Sequence, residues 1–139
     1  MRPFSQPMSR RRLLRWALAA GIAVAGPWTG LAVIARQSGT EVLAGRLRAL
    51  LPHRLAAATL GVAYIGTLEG QPSVASLVSD LAADLVGGVD AALALDRAAL
   101  AAMLERSMRA DYDAGRVVTL SGWIVSMTEG RLCALASLA

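Results

Sequence analysis

A run of twenty residues without a charged side chain, from 16 to 35, separates the front of this chain from the part that can fold. The seven residues before it, SRRRLLR, carry four arginines. A positive segment followed by an apolar core is the form of an export signal. The pattern predicts a signal segment over residues 1–35 and a separate folded domain over residues 36–139.

The paired arginines make this signal more specific. The residues Ser9, Arg10, Arg11, Leu13 and Leu14 resemble the twin-arginine motif, in which two arginines precede large apolar residues. The core behind them is rich in alanine and glycine, as twin-arginine leaders usually are. We therefore expect recognition by the twin-arginine translocase, which exports proteins that have already folded, and a location in the periplasm.

Two questions about the leader stay open at this point. Residues 16–35 are long enough to span a bilayer, so an uncleaved anchor in the inner membrane is the alternative to a cleaved leader. Pro27 and three glycines weaken a spanning helix there. Cleavage after Ala25 and cleavage after Ala35 both fit the small-residue pattern of signal peptidase sites.

The net charge of +4 is a property of the leader. Five of the fourteen arginines precede residue 16, and lysine is absent. Nine arginines and all ten acidic residues follow, which leaves a net charge of −1 for the rest of the chain. Because no basic face with interleaved aromatic residues occurs downstream, nucleic acid is excluded as a partner.

The body of the chain is predicted to be mainly α: a small bundle of four to five helices with a short C-terminal β-hairpin. Helix signals start at Thr40, over residues 54–68, at Ser73 and at Asp90 or Asp96. Gly61 and Gly66 are expected to permit close helix packing. Helical spacing predicts these core positions: Val42, Leu43, Leu47, Leu50 and Leu51; Leu55, Thr59, Val62 and Ala63; Val74, Leu77, Val78, Leu81 and Leu85; Leu100, Met103, Leu104 and Met108.

A different pattern follows Gly115. Residues 117–120 and 123–125 are strand formers, and Ser121-Gly122 between them is a turn signal, so a two-stranded hairpin is predicted. Ser126 and Glu129 then fit a capping box, which predicts a last helix from Met127 onward.

The chain is poor in groups that could carry catalysis. It has one histidine, His53, and one cysteine, Cys133, so no zinc or haem ligand set is present. Asp80 and Asp84 share a helix face, where a solvated face is a more common role than a catalytic pair. We therefore predict no catalytic residues, no metal site and no cofactor in this chain.

Cys133 has three possible roles. It could be a thiol packed like a small apolar residue, the half of a disulfide to another chain, or a reactive redox thiol. The position of Cys133 on the predicted last helix, two residues before Leu135, favours the packed thiol.

The C-terminal tail resembles a known family. The matching positions are Gly122, Trp123, Ser126, Thr128, Glu129, Arg131, Leu132, Cys133, Ala134 and Leu135. Together with the leader and the Asp-Tyr-Asp-Ala-Gly-Arg segment at 111–116, they are similar to the small subunits of membrane-bound FAD-dependent dehydrogenases. The family includes the FAD-containing D-sorbitol dehydrogenase small subunit and gluconate 2-dehydrogenase subunit 3.

The resemblance implies a non-catalytic subunit. Its partner would be a larger catalytic subunit that carries FAD, with a separate cytochrome subunit to accept electrons. The small subunit would bind and stabilise the flavoprotein and carry it through the twin-arginine pathway. Trp123, Arg131 and Cys133 are the predicted partner interface, although Trp123 covering the junction of hairpin and last helix is an alternative. A stand-alone exported or membrane-anchored helical protein is the alternative function.

Overall fold

The computed structural model describes residues 39–139, so the export signal and its cleavage sites lie outside the described residues. Within that range the chain forms six helices and one hairpin, which confirms the predicted mainly α fold. The elements in chain order are α1 (39–48), α2 (Arg54–Ile65), α3 (Val74–Val86), α4 (Val89–Ala94), α5 (Arg97–Asp113), β1 (Val117–Leu120), β2 (Trp123–Ser126) and α6 (Met127–Ser137).

Local signals set the starts of three helices, α3, α5 and α6, as predicted. The Ser73 side chain accepts a hydrogen bond from the Ser76 amide at 3.0 Å, and Ser76 reciprocates to form a capping box for α3. Asp96, rather than Asp90, caps α5 by accepting from the amide of Ala99 at 2.7 Å. Each cap satisfies an amide that has no partner within its own helix.

Gly87 ends α3 in the left-handed conformation, at φ 85°. Such a residue closes a helix at little cost only when it is glycine. The short α4 follows at once. The sequence pattern predicts α4 and α5 as a single helix, whereas the structure separates them.

The C-terminal hairpin forms as predicted. The antiparallel register pairs Val117 with Ser126 and Leu120 with Trp123. The two turn residues, Ser121 and Gly122, have φ values of 51° and 84°. Two consecutive positive φ values are those of a type I′ turn, whose twist matches the twist of the paired strands.

The core is built around α6. Its buried residues Leu132, Ala134 and Leu135 join leucines from α1, α3 and α5, together with Leu120 of the hairpin. The other fully buried large side chains include Leu43, Leu47, Tyr64, Val78, Leu81 and Leu100. The predicted stripes of α3 and α5 therefore face the core as expected.

The predicted core face of α2 is wrong. Leu55 is 88% exposed and Val62 is 65% exposed, whereas Ala57, Gly61 and Tyr64 are buried. Helix α2 is apolar on several faces, so its spacing did not identify the inward one. The buried face carries Gly61, which lets the backbone of α2 approach α6, and Tyr64, which packs over Gly130 of α6.

Two expectations for α1 are also corrected. Residue 40 is already helical, so Thr40 lies within α1 and does not precede it as a cap. Val42 is 57% exposed, and Ala44 takes a place in the core beside Leu43 and Leu47. Leu43 and Leu47 are buried as predicted, so the stripe includes Ala44 in place of Val42.

Candidate functional site

A buried carboxylate joins the end of α5 to the start of α6. Asp111 is 4% exposed. One of its oxygens accepts hydrogen bonds from the Thr128 amide at 2.8 Å and the Thr128 hydroxyl at 2.7 Å. The other accepts from Nε of Arg116 at 2.8 Å. A carboxylate with partners on both oxygens is stable in the interior, whereas an unpaired one would be costly.

The protonation of Asp111 follows from this environment. Burial alone would raise the pKa of Asp111, but the hydrogen bonds from Thr128 and the positive charge of Arg116 outweigh it. The pKa therefore lies below its usual value, and the carboxylate is ionised at neutral pH.

Backbone hydrogen bonds also connect the end of α5 to the start of α6. The amide of Arg116 donates to the carbonyl oxygen of Asp111 at 2.8 Å, and the amide of Met127 donates to the carbonyl oxygen of Arg116 at 3.0 Å. The sequence pattern over residues 111–116 is typical of a loop turn. In the structure residues 111–113 are the last helical turn of α5, and the chain reverses at Ala114 and Gly115. The hairpin is thus tied to both helices at its base.

A second layer of polar contacts lies outside Asp111. The Tyr112 hydroxyl is 2.7 Å from Oε2 of Glu129 and 3.3 Å from the carbonyl oxygen of Ile124. The same Glu129 oxygen accepts from the Ser126 amide at 2.9 Å, and the Glu129 amide donates to the Ser126 hydroxyl at 3.0 Å. The predicted capping box is therefore confirmed, and Tyr112 connects it to α5.

Tyr112 holds its proton firmly in this arrangement. The hydrogen bond to Glu129 is the main cause that raises the pKa of the Tyr112 hydroxyl, and burial adds to it. The phenol therefore acts as a donor to the capping carboxylate at neutral pH. We call the group Asp111, Tyr112, Arg116, Thr128 and Glu129 the hairpin clasp.

The clasp holds a hairpin that exposes apolar side chains. Seven large hydrophobic residues are exposed in the part of the chain that the structure describes, and four of them lie between residues 112 and 124. We call these four the hairpin patch: Tyr112 (46% exposed), Val117 (39%), Trp123 (71%) and Ile124 (63%). Tyr112 is on the last turn of α5, and the other three are on the hairpin. Because successive strand residues point to opposite faces, Val117 and Ile124 share one face and Trp123 is on the other. Exposed apolar residues grouped around one element are typical of an interaction surface.

The three predicted interface residues do not lie together on the surface. Trp123 belongs to the hairpin patch. Arg131 forms an ion pair with Asp84 of α3, and its side chain is 23% exposed. Cys133 is a free cysteine that is 9% exposed. Among these three, Trp123 is the residue whose side chain is open to a partner.

Burial gives Cys133 an unreactive thiol. Loss of solvation, with a smaller contribution from the charge of Glu129, raises the pKa of Cys133 to about 11. Since the thiolate is the reactive form, a raised pKa disfavours redox chemistry and disulfide exchange. This position agrees with the packed thiol among the three roles considered for Cys133.

Arg131 also lies beside a buried tyrosine. Burial raises the pKa of Tyr64, and the charge and hydrogen bond of Arg131 oppose that effect. Tyr64 packs on α6 where Gly130 leaves room, since a Cβ at position 130 would be 2.5 Å from Cδ2 of its ring. The Arg131 pair with Asp84 thus holds α3 against the contact between α2 and α6.

The other titratable candidates lie apart from one another. His53 precedes α2 and is exposed, with no capping hydrogen bond from its side chain. Asp80 is exposed on α3, and Asp84 is paired with Arg131. Over residues 39–139, no three side chains of histidine, cysteine, aspartate or glutamate are grouped so that they could hold a metal ion.

Sequence reasoning found the capping box but missed the buried role of Asp111. The available signal was a threonine inside the capping sequence and an aspartate at the end of the preceding helix. In the same described range, none of the helices combines the length and the apolar character needed to cross a bilayer.

Comparisons with known proteins add no relative. No protein-family model, no curated protein and no solved structure matches this chain. The resemblance of the C-terminal tail to the dehydrogenase small subunits therefore stays a prediction.

Proposed function

We propose that this protein is a non-catalytic small subunit that binds, stabilises and co-exports a larger FAD-dependent sugar or polyol dehydrogenase subunit. The observation that carries the proposal is the hairpin patch on a clasped hairpin. A two-stranded hairpin is marginal alone, yet here five polar side chains and two backbone hydrogen bonds hold it to α5 and α6. That arrangement fixes the backbone of the strand that carries Trp123 and Ile124, whose side chains point to opposite faces of the hairpin.

An exposed tryptophan on a paired strand suits a protein interface. Tryptophan is enriched among residues that dominate binding energy, and a backbone that is already ordered by strand pairing loses less entropy on association. Trp123 supplies exposed aromatic surface on one face of the hairpin, and Ile124 and Val117 supply aliphatic surface on the other face. The FAD would belong to the partner subunit.

Export follows from the leader. The twin-arginine pathway moves folded cargo, so one leader with Arg10 and Arg11 can carry a bound partner that has no signal of its own. A partner that binds the native state also stabilises it, by about 2.7 kcal/mol at a hundredfold excess over Kd. Stabilisation and export would thus come from the same contact.

Co-purification tests the interface. We expect the full chain to co-elute with a larger protein that has a flavin absorption spectrum, and Trp123→Ser to reduce the yield of that flavoprotein at least about tenfold. Leu55→Ser is the matched control, because Leu55 is an 88% exposed apolar residue on α2 that is not part of the hairpin. Recovery of the wild type without a flavoprotein would support the stand-alone alternative instead.

Localisation tests the carrier role. Replacing Arg10 and Arg11 together with lysine should leave both this chain and the flavoprotein in the cytoplasm, as measured by fractionation and flavin fluorescence. Arrival of the flavoprotein in the periplasm despite this substitution would contradict co-export.

A further inference from the structure

A groove of about 500 Å³ lies between α3 and α5, and it shares Asp111 and Arg116 with the hairpin clasp. Its apolar lining comes from Leu85 of α3 and from Met103 and Ala110 of α5. Arg106 of α5 and Arg116 of the following turn add two positive charges. The volume is within the range of about 300–1,000 Å³ that is usual for small-ligand sites.

Two carboxylates also line this groove, but both are already neutralised. Asp84 forms an ion pair with Arg131. Asp111 accepts hydrogen bonds on both oxygens, from Thr128 and from Arg116. Neither carboxylate is free to balance a further cation in the groove.

Arg106 is the cation in the groove that has no paired carboxylate. It is exposed and forms no hydrogen bond or ion pair with any other residue between 39 and 139. Its neighbour along the helix, Glu105, is paired with Arg109 at 3.7 Å. The groove therefore carries one uncompensated positive charge.

Arg116 is held in place for a second contact. Its Nε donates to Asp111 at 2.8 Å, and its backbone amide donates to the carbonyl oxygen of the same residue at 2.8 Å. These bonds leave the two terminal nitrogens of the guanidinium group for another acceptor. An arginine whose position is already set loses less conformational freedom when it binds an anion.

We infer that this groove binds a carboxylate carried on a short aliphatic chain. Arg106 and Arg116 would hold the carboxylate, and Leu85, Met103 and Ala110 would contact the chain. A monoanion matches the single uncompensated charge, whereas a doubly charged phosphate would leave one negative charge unbalanced in the groove. Two sources share this chemistry, a free aliphatic acid and a glutamate side chain of a polypeptide. The inference does not depend on the proposed flavoprotein partner.

Calorimetric titration of the full chain tests the inference. The probes are hexanoate, hexan-1-ol and a short capped peptide with one glutamate between leucines. We expect saturable binding of hexanoate or of the peptide, and none of the alcohol. The tighter of the two carboxylates identifies the source, and absence of saturable binding by both would overturn the inference.

Two variants locate the bound carboxylate. Arg106→Gln should weaken binding about tenfold, the change expected for loss of one exposed charge-assisted hydrogen bond. Arg109→Gln is the matched control, since Arg109 lies on the same helix but does not line the groove. Circular dichroism should show both variants folded, because neither side chain is buried. Equal affinity of Arg106→Gln and wild type would overturn the inference.

Discussion

The α-carbon of Gly61 on α2 lies directly against the backbone carbonyl of Cys133 on α6. A Cβ atom at position 61 would overlap that carbonyl, and would be 2.8 Å from the amide nitrogen of Ala134. One turn further along α2, Tyr64 covers Gly130 in the same way. Two glycines, one on each helix, thus determine how closely the two helices pack and which face of α2 is buried.

Gly61→Ala should therefore destabilise the protein. The added methyl group meets backbone atoms, which cannot move aside as a flexible side chain can, so the helices must separate. We expect a loss of about 2–3 kcal/mol in the free energy of unfolding, measured by urea denaturation of the full chain. Gly45→Ala is the control, because nothing lies within 4 Å of a Cβ at that helical position. It should be neutral or stabilising by about 0.5 kcal/mol, and a similar loss in both variants would contradict the packing account.

Removal of the N-cap of α6 should cost more than removal of the N-cap of α3. Ser126 is fully buried, whereas Ser73 is exposed to water, which can replace a lost hydrogen bond. We expect Ser126→Ala to cost about 1–2 kcal/mol and Ser73→Ala about 0.5–1 kcal/mol. Thermal unfolding of the two variants measures the difference, and equal losses would show that burial of the cap has no effect.

Asp111→Asn should loosen the hairpin clasp. The amide keeps the shape but loses the charge that Arg116 and Thr128 bind. Because Arg116 is 57% exposed, we expect a cost of about 2–3 kcal/mol near neutral pH, below that of a fully buried ion pair. Urea denaturation measures this cost, with Asp113→Asn as the control, since Asp113 is exposed.

The same pair of proteins gives a pH test. The folded-state pKa of Asp111 is lowered from 3.8, so its stabilising effect is complete above that pH and is lost as pH falls through the lower folded value. The difference in stability between wild type and Asp111→Asn should therefore be constant near neutrality and shrink below about pH 3.8. A constant difference down to strongly acid pH would show that Asp111 is not ionised in the fold.

Cys133 should be protected from alkylation in the folded protein. At pH 8 a thiol with a pKa of about 11 is almost entirely protonated and is also buried, so iodoacetamide should label it far more slowly than in concentrated urea. Its raised pKa favours folding below about pH 9, and that contribution is lost as pH rises toward 11. Rapid labelling of the native chain would place the thiol at the surface.

Local chemistry was enough to predict much of this fold. Ser73, Asp96 and Ser126 are caps because each side chain bonds an amide three residues ahead, a contact that needs no distant residue. The turn at Ser121-Gly122 also depends only on residues that are adjacent in the chain. The buried apolar stripe of α5 could also be predicted, since the opposite face of the helix carries charged residues such as Glu105 and Arg109.

Tertiary contacts decided the rest. The sequence by itself determined the N-caps of α3 and α6, the hairpin turn and the charge of the leader, because each depends on residues close together in the chain. It could not choose the buried face of α2, because apolar residues occur on several sides of that helix. That choice depends on how near α6 can approach, and so on Gly61 meeting Cys133 across 72 positions of the chain. The burial of Asp111 was decided in the same way, by a threonine that only the folded chain brings within 2.7 Å.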